Sequence, residues 1–211
     1  MWGKLKIKFM LHLLRKHLKI IIVWGVIFAM LSLVVSLLFP SQYSASSQVL
    51  IITRDKTGVD PYTQIKSSER IGENLAQVMK TTDFYNKVME NTNVVFDKTR
   101  WQNLSDRDQR KNWKKDVQGS MVYGTGLLNI TVYSGNQDDA RAFSDAVTQT
   151  VTTRGWEYIG GDVTVKPVNN ALVSRLPDRP NYLANTIIGF VLGVLLASWW
   201  TARYKRGMFG V

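Results

Sequence analysis

The stretch LLNITVYSGNQDDARAFSDAVTQTV, Leu127–Val151, decides how the middle of this 211-residue chain is read. It opens by alternating Leu128, Ile130 and Val132 against Asn129, Thr131 and Tyr133. Successive side chains of a strand point to opposite faces, so the alternation predicts a half-buried strand. Ser134-Gly135-Asn136 turns the chain. Asp138 and Asp139 then place negative charge where a helix N-terminus presents free N–H groups. Ala140, Phe143, Ala146, Val147 and Val151 follow on one apolar helical face. A strand, a turn and an amphipathic helix in this order predict a helix laid on a sheet.

Working outward, the same two periods recur. YSASSQVLIIT, from Tyr43, sets Tyr43, Ala45, Ser47, Val49 and Ile51 on one side, as a strand does. TQIKSSERIGENLAQVMK places Ile65, Ile71, Leu75, Val78 and Met79 near helical spacing, and TTDFYNKVMENT predicts a second short helix starting near Thr82 or Asp83. SDRDQRKNWKKDVQ has an N-cap residue in Ser105 and acids in its first turn. After Gly160-Gly161, DVTVKPV predicts a last strand. The expected order is strand, helices, strand, helix, strand: an α+β domain with helices packed on a small sheet.

That domain lies between two uncharged runs, Ile20 to Phe39 and Tyr182 to Ala202. A helix of about 20 residues rises about 30 Å, the thickness of a bilayer's hydrocarbon core. Both runs therefore predict transmembrane helices. Buried core helices are seldom this long and this free of charge. A cleaved signal peptide has a shorter apolar region, of about 7–15 residues.

Charge orients the spans. All 16 acidic residues lie between Asp55 and Asp178. Lys4, Lys6, Lys8, Arg15, Lys16 and Lys19 precede the first span, and Arg203, Lys205 and Arg206 follow the second, with no acid in either flank. The positive-inside rule puts both termini in the cytoplasm and the middle outside. Trp24, Trp199, Trp200 and Tyr204 suit the membrane interfaces. The expected organisation is a basic amphipathic segment over 1–19, a span over 20–39, an extracytoplasmic α+β domain with a proline stalk over 40–181, a span over 182–202 and a tail over 203–211. The first segment carries Lys4, Lys8, His12, Arg15 and Lys19 at helical spacing, which suits an anionic inner leaflet. The net charge of +11 is then mostly topology rather than a nucleic-acid footprint, since residues 41–181 hold 18 basic against 16 acidic residues.

Reactive groups are scarce. Residues 41–181 contain no histidine and the chain no cysteine, and no P-loop, GxSxG or HExxH pattern occurs. Asp106 with Asp108, and Asp138 with Asp139, open predicted helices and read as capping acids. His12 and His17 read as interfacial polar groups, with no third ligand near. No catalytic residue, metal site or cofactor is expected. Asn103-Leu-Ser105 and Asn129-Ile-Thr131 match a glycosylation pattern short enough to arise by chance.

Three features remain. Pro177 and Pro180 stiffen the approach to the second span and bias Leu176 and Arg179 towards extended backbone. Asn185, Gly189, Gly193 and Ala197 recur every four residues, a small-residue stripe of the kind that lets membrane helices approach closely. Its partner is the first span or a neighbour's helix. The run RDQRKNWKK puts Arg107, Lys111 and Lys115 in one helical stripe with Arg110 and Lys114 beside it. It reads either as a solvated helix face or as a contact for an anionic glycan, a lipid pyrophosphate or a neighbouring subunit.

The arrangement resembles the polysaccharide co-polymerases, the Wzz-type chain-length determinants. YSASSQVLI directly after a first span, LLNITVYSGNQDDARAFSDAVTQTV before a last strand, and RLPDRPNYLANTIIGFVLG leading into a second span are similar to that family's pattern in this order. The resemblance implies a bacterial inner-membrane protein without catalytic activity, assembled as a homo-oligomer. It would govern the length or export of a lipid-linked glycan (O-antigen, capsule or exopolysaccharide) built by a Wzy-type polymerase. Some relatives carry or pair with a cytoplasmic tyrosine kinase. The nine residues after Ala202 hold no P-loop, so a kinase is expected only as a separate partner. Residues 41–181 leave little room for the long helical extension of larger relatives. The rival reading is a two-span sensory or adaptor protein that activates a separate kinase or transporter.

Overall fold

The structure is a computed structural model and describes residues 17–53, 60–102, 104–159 and 163–208. Its elements are α1 (Leu18–Leu37), β1 (Tyr43–Thr53), α2 (Pro61–Val78), α3 (Thr82–Glu90), α4 (Thr99–Gln102), α5 (Asp106–Asp116), β2 (Val117–Val122), β3 (Leu127–Ser134), α6 (Gln137–Arg154), a 3₁₀ turn (Gly155–Tyr158), β4 (Val163–Val173) and α7 (Tyr182–Met208). The chain divides into two units. One comprises Met1–Ser41 with Arg179–Val211, the other Gln42–Asp178. The division runs between Pro177 and Pro180, so the proline segment is shared between the units rather than belonging wholly to the middle one. The basic residues from Lys4 to Lys16, the Gly160-Gly161 pair and Asn103 lie outside the described residues.

The middle unit is α+β. Its four-stranded sheet has the order β2-β3-β1-β4, and every neighbouring pair is antiparallel. β1 is central, with Val49 opposite Leu128 on one side and Ile51 opposite Val165 on the other. One sheet face is covered: Ala45, Ser47, Val49 and Ile51 of β1 and Leu128, Ile130, Val132 and Ser134 of β3 are all buried. α6 lays Ala140, Phe143, Ala146, Val147 and Val151 on it. Hydroxyls satisfy one another at this seam, where Ser47 pairs with Thr148 at 2.6 Å and Ser144 donates to Ser47 at 3.2 Å. The other face is polar. Gln48 donates to Asn129 at 2.7 Å, and Asn169 donates to Gln48 at 2.6 Å, forming an amide ladder across three strands. Asn129 is thereby a member of the sheet's ladder.

Two local readings are corrected. VQGSMV forms a strand, β2, that the alternation did not announce. It exists by pairing with β3 through a turn in which Gly124 and Gly126 take positive φ, at +79° and +57°. In α2 the buried face is Ser68, Glu69, Gly72, Leu75 and Ala76, while Ile65 is exposed. Small residues win there because the helix lies close to β2. A Cβ on Gly119 would stand 3.0 Å from that of Ala76, and one on Gly72 would meet the Met121 sulfur. Helix caps follow side-chain chemistry: Thr81 caps α3, Ser105 caps α5 and Asn136 caps α6, each accepting from a backbone N–H in the first turn.

Candidate functional site

The helical unit pairs α1 with α7. Both helices carry membrane-spanning length and composition, over Leu18–Leu37 and Tyr182–Arg203. Ile20, Val23, Met30, Leu31, Leu183, Ile188 and Leu195 are exposed on their outer faces. Apolar surface all around a helix pair suits lipid, not water.

Between them the small residues lie face to face. Gly189, Gly193 and Ala197 are buried against α1, and Asn185 is half-buried beside them. A Cβ on Gly193 would stand 2.7 Å from the Trp24 carbonyl oxygen and 3.0 Å from the Gly25 Cα. A Cβ on Gly25 would stand 2.8 Å from the Phe190 ring. Polar groups close the seam. Ser32 donates to the Asn185 carbonyl at 2.8 Å, and Asn185 Nδ2 donates to the Ser36 hydroxyl at 2.7 Å. Ser41 and Tyr182 share a hydroxyl–hydroxyl bond at 3.0 Å. The stripe's partner within this chain is thus α1. Its complement, Ile21, Gly25, Ser32 and Ser36, was readable in the sequence at intervals of four, seven and four.

The stalk is tied where it leaves the sheet. Ser174 N–H donates to the Ser44 carbonyl at 2.8 Å, and Asp178 N–H donates to the Gln42 carbonyl at 2.8 Å. Gln137 Nε2 reaches the carbonyls of Ser174 and Arg175. Pro177 lies inside this stapled stretch. Pro180, which follows a cis peptide bond, lies just beyond it.

The basic run is α5. One face of this helix is anchored: Trp113 is fully buried, donates from Nε1 to the Met79 carbonyl at 2.8 Å and meets Tyr85 edge-on at 5.0 Å. Trp101 and Phe143 complete the aromatic cluster around it. Asp116 at the helix end is buried and bridged by Arg100 at 3.1 Å. Arg107, Arg110, Lys111, Lys114 and Lys115 lie on the exposed side. The aromatic cluster escaped sequence reading because Trp101 and Trp113 belong to polar segments with no apolar periodicity.

A tight electrostatic knot holds α2 to the β2–β3 turn. Glu69, buried, accepts from Lys66 at 2.8 Å and from Gly124 N–H at 2.5 Å. Those two donors, Lys66 first, hold its carboxyl below the usual range. A second knot ties α3 to the 3₁₀ turn. Lys87 is paired with Glu157 and Asp83, and the Tyr158 hydroxyl donates to Asp83. Asp83 is thereby lowered, chiefly by Tyr158, and Lys87 is raised, chiefly by Glu157. These groups hold the fold. Among the described residues, no group of three or more His, Cys, Asp or Glu is placed to hold a metal ion.

Residues 3–92 match the family described as Wzz, chain length determinant protein. Over those residues the chain is similar to the Wzz family. The match spans α1, β1, α2 and α3 and ends before Leu127–Val151 and the proline segment, whose likeness to the family stands on their own residues. No curated protein matches the chain. That family match supports a role in polysaccharide biosynthesis, in the control of chain length. With two apolar helices of spanning length, it supports an inner-membrane protein.

Proposed function

We propose that the protein is a non-catalytic polysaccharide co-polymerase of the bacterial inner membrane. It regulates the length or export of a lipid-linked surface polysaccharide made by a separate Wzy-type polymerase. Both termini are cytoplasmic, and the sheet unit lies outside. The observation that carries this reading is the Wzz family match over residues 3–92, within a chain whose two spanning-length helices bracket an α+β unit.

The protein works as a homo-oligomer. A unit tethered to the membrane at both ends meets its neighbours at high effective concentration, so weak lateral contacts suffice for assembly. Pro177 and Pro180 transmit the state of the sheet unit to the second span. The stripe of Asn185, Gly189, Gly193 and Ala197 gives that span a close-packed partner. Deleting the gene and resolving surface polysaccharides by gel tests the proposal. The expected result is a changed length distribution, restored by the intact gene. An unchanged distribution overturns it.

A further inference from the structure

We infer that the exposed face of α5 is a binding site for an acidic polysaccharide, a chain bearing carboxylates or phosphates on successive sugars. This deepens the function proposed above and rests on it for the word polysaccharide.

Arg107, Arg110, Lys111 and Lys114, with Asp106, line an open groove of about 580 Å³. Four cations thus face one carboxylate. The acids that would neutralise them are engaged elsewhere. The Asp108 carboxylate accepts from the hydroxyl of the N-cap Ser105 at 2.8 Å, and Asp116 is bridged by Arg100. Among the described residues, Lys66, Lys87, Arg100 and Arg154 form salt bridges, and no salt bridge takes up Arg107, Arg110, Lys111 or Lys114. Like charges crowded without partners repel, a cost that an anionic ligand removes.

The platform under them is rigid. Trp113 locks the opposite side of the helix into the aromatic core, and Gln109 donates to the Tyr85 hydroxyl at 2.7 Å. The helix under this row of cations is held in place, so ordering on binding is confined to the exposed side chains. Its length points to a polymer. From Arg107 to Lys114 the helix rises about 10 Å. One pyrophosphate group cannot reach across that row, whereas anions repeated along a glycan meet several cations at once. Arg adds a planar fork suited to carboxylate and phosphate.

The test uses the full chain in nanodiscs of neutral lipid, with polygalacturonate as the probe and inorganic pyrophosphate and neutral dextran as competitors. Polygalacturonate is expected to bind, to weaken as salt shortens the screening length to about 8 Å, and to resist dextran. R110Q/K114Q is expected to lose about tenfold in affinity, roughly the worth of two exposed charge contacts. Both side chains are exposed, so the variant keeps the wild-type melting temperature. Equal binding by the variant overturns the inference. So does competition by dextran, or by pyrophosphate at matched charge concentration. Unchanged polygalacturonate binding with an altered oligomer mass would assign the row to a contact between copies, and also overturns it. The deletion phenotype reads the general function separately: no polygalacturonate binding by the wild-type chain, with altered glycan length on deletion, sinks only the site. Binding with unaltered glycan length sinks only the function.

Discussion

The position that a Cβ on Gly189 would occupy is 2.5 Å from the Cβ of Ser32 and 2.8 Å from the Phe28 carbonyl oxygen. One obstacle is a side chain and the other is backbone. Shrinking Ser32 would relieve only the first. Close approach at this point is also what allows Ser32 to donate to the Asn185 carbonyl.

G189A is therefore expected to separate α1 from α7, at a cost of about 1–3 kcal/mol for overpacking a tight contact. G189A/S32G recovers part of that loss, because the Phe28 carbonyl remains in the way. Energy transfer between labels at the span ends in nanodiscs measures the separation. Unchanged transfer in G189A would show that the helices have another way to pack.

The two buried tryptophans should separate by their N–H groups. Trp113 donates to the Met79 carbonyl, whereas Trp101 Nε1 is buried with no partner among the described residues. W113F loses a hydrogen bond and strands a carbonyl, so it should be less stable than wild type by about 1–3 kcal/mol beyond the packing change. W101F removes an unsatisfied donor and should cost less. Urea denaturation of both variants, followed by tryptophan fluorescence, decides. A larger loss in W101F would contradict the assignment.

Acid should loosen the middle unit. Glu69 is held low by Lys66 and Gly124 N–H, Asp83 by Tyr158, and Asp97 by the Thr99 hydroxyl and N–H. A depressed carboxylate binds protons more readily when unfolded. Its stabilisation is present above the ordinary carboxylate value of about 4 and is lost as pH falls through the folded value. Melting temperature should therefore drop below about pH 4. E69Q should melt lower at neutral pH and fall less steeply with acid. Parallel pH curves for E69Q and wild type would remove Glu69 from the account.

Replacing Pro177 and Pro180 together by alanine should shift surface glycan lengths while leaving protein amount and membrane insertion unchanged. Alanine restores backbone freedom that proline withholds. Normal glycan lengths in the double variant would count against coupling through this segment.

Period alone determined much of this protein. Long uncharged, mainly apolar runs mark α1 and α7, the alternation from Leu128 to Val132 marks β3, and the spacing from Ala140 to Val151 marks the buried face of α6. These patterns are legible because each element solves its own burial problem with its own residues. The tertiary structure decided the rest. β2 is a strand only because β3 pairs with it, and α2 turns Ser68 and Gly72 inward only because a small-sided helix can lie against that edge. Trp113 turns a polar segment into an anchored helix because Met79 and Tyr85, distant in sequence, receive it. Pairing and close approach are properties of two segments at once, and a one-dimensional pattern carries no record of the partner.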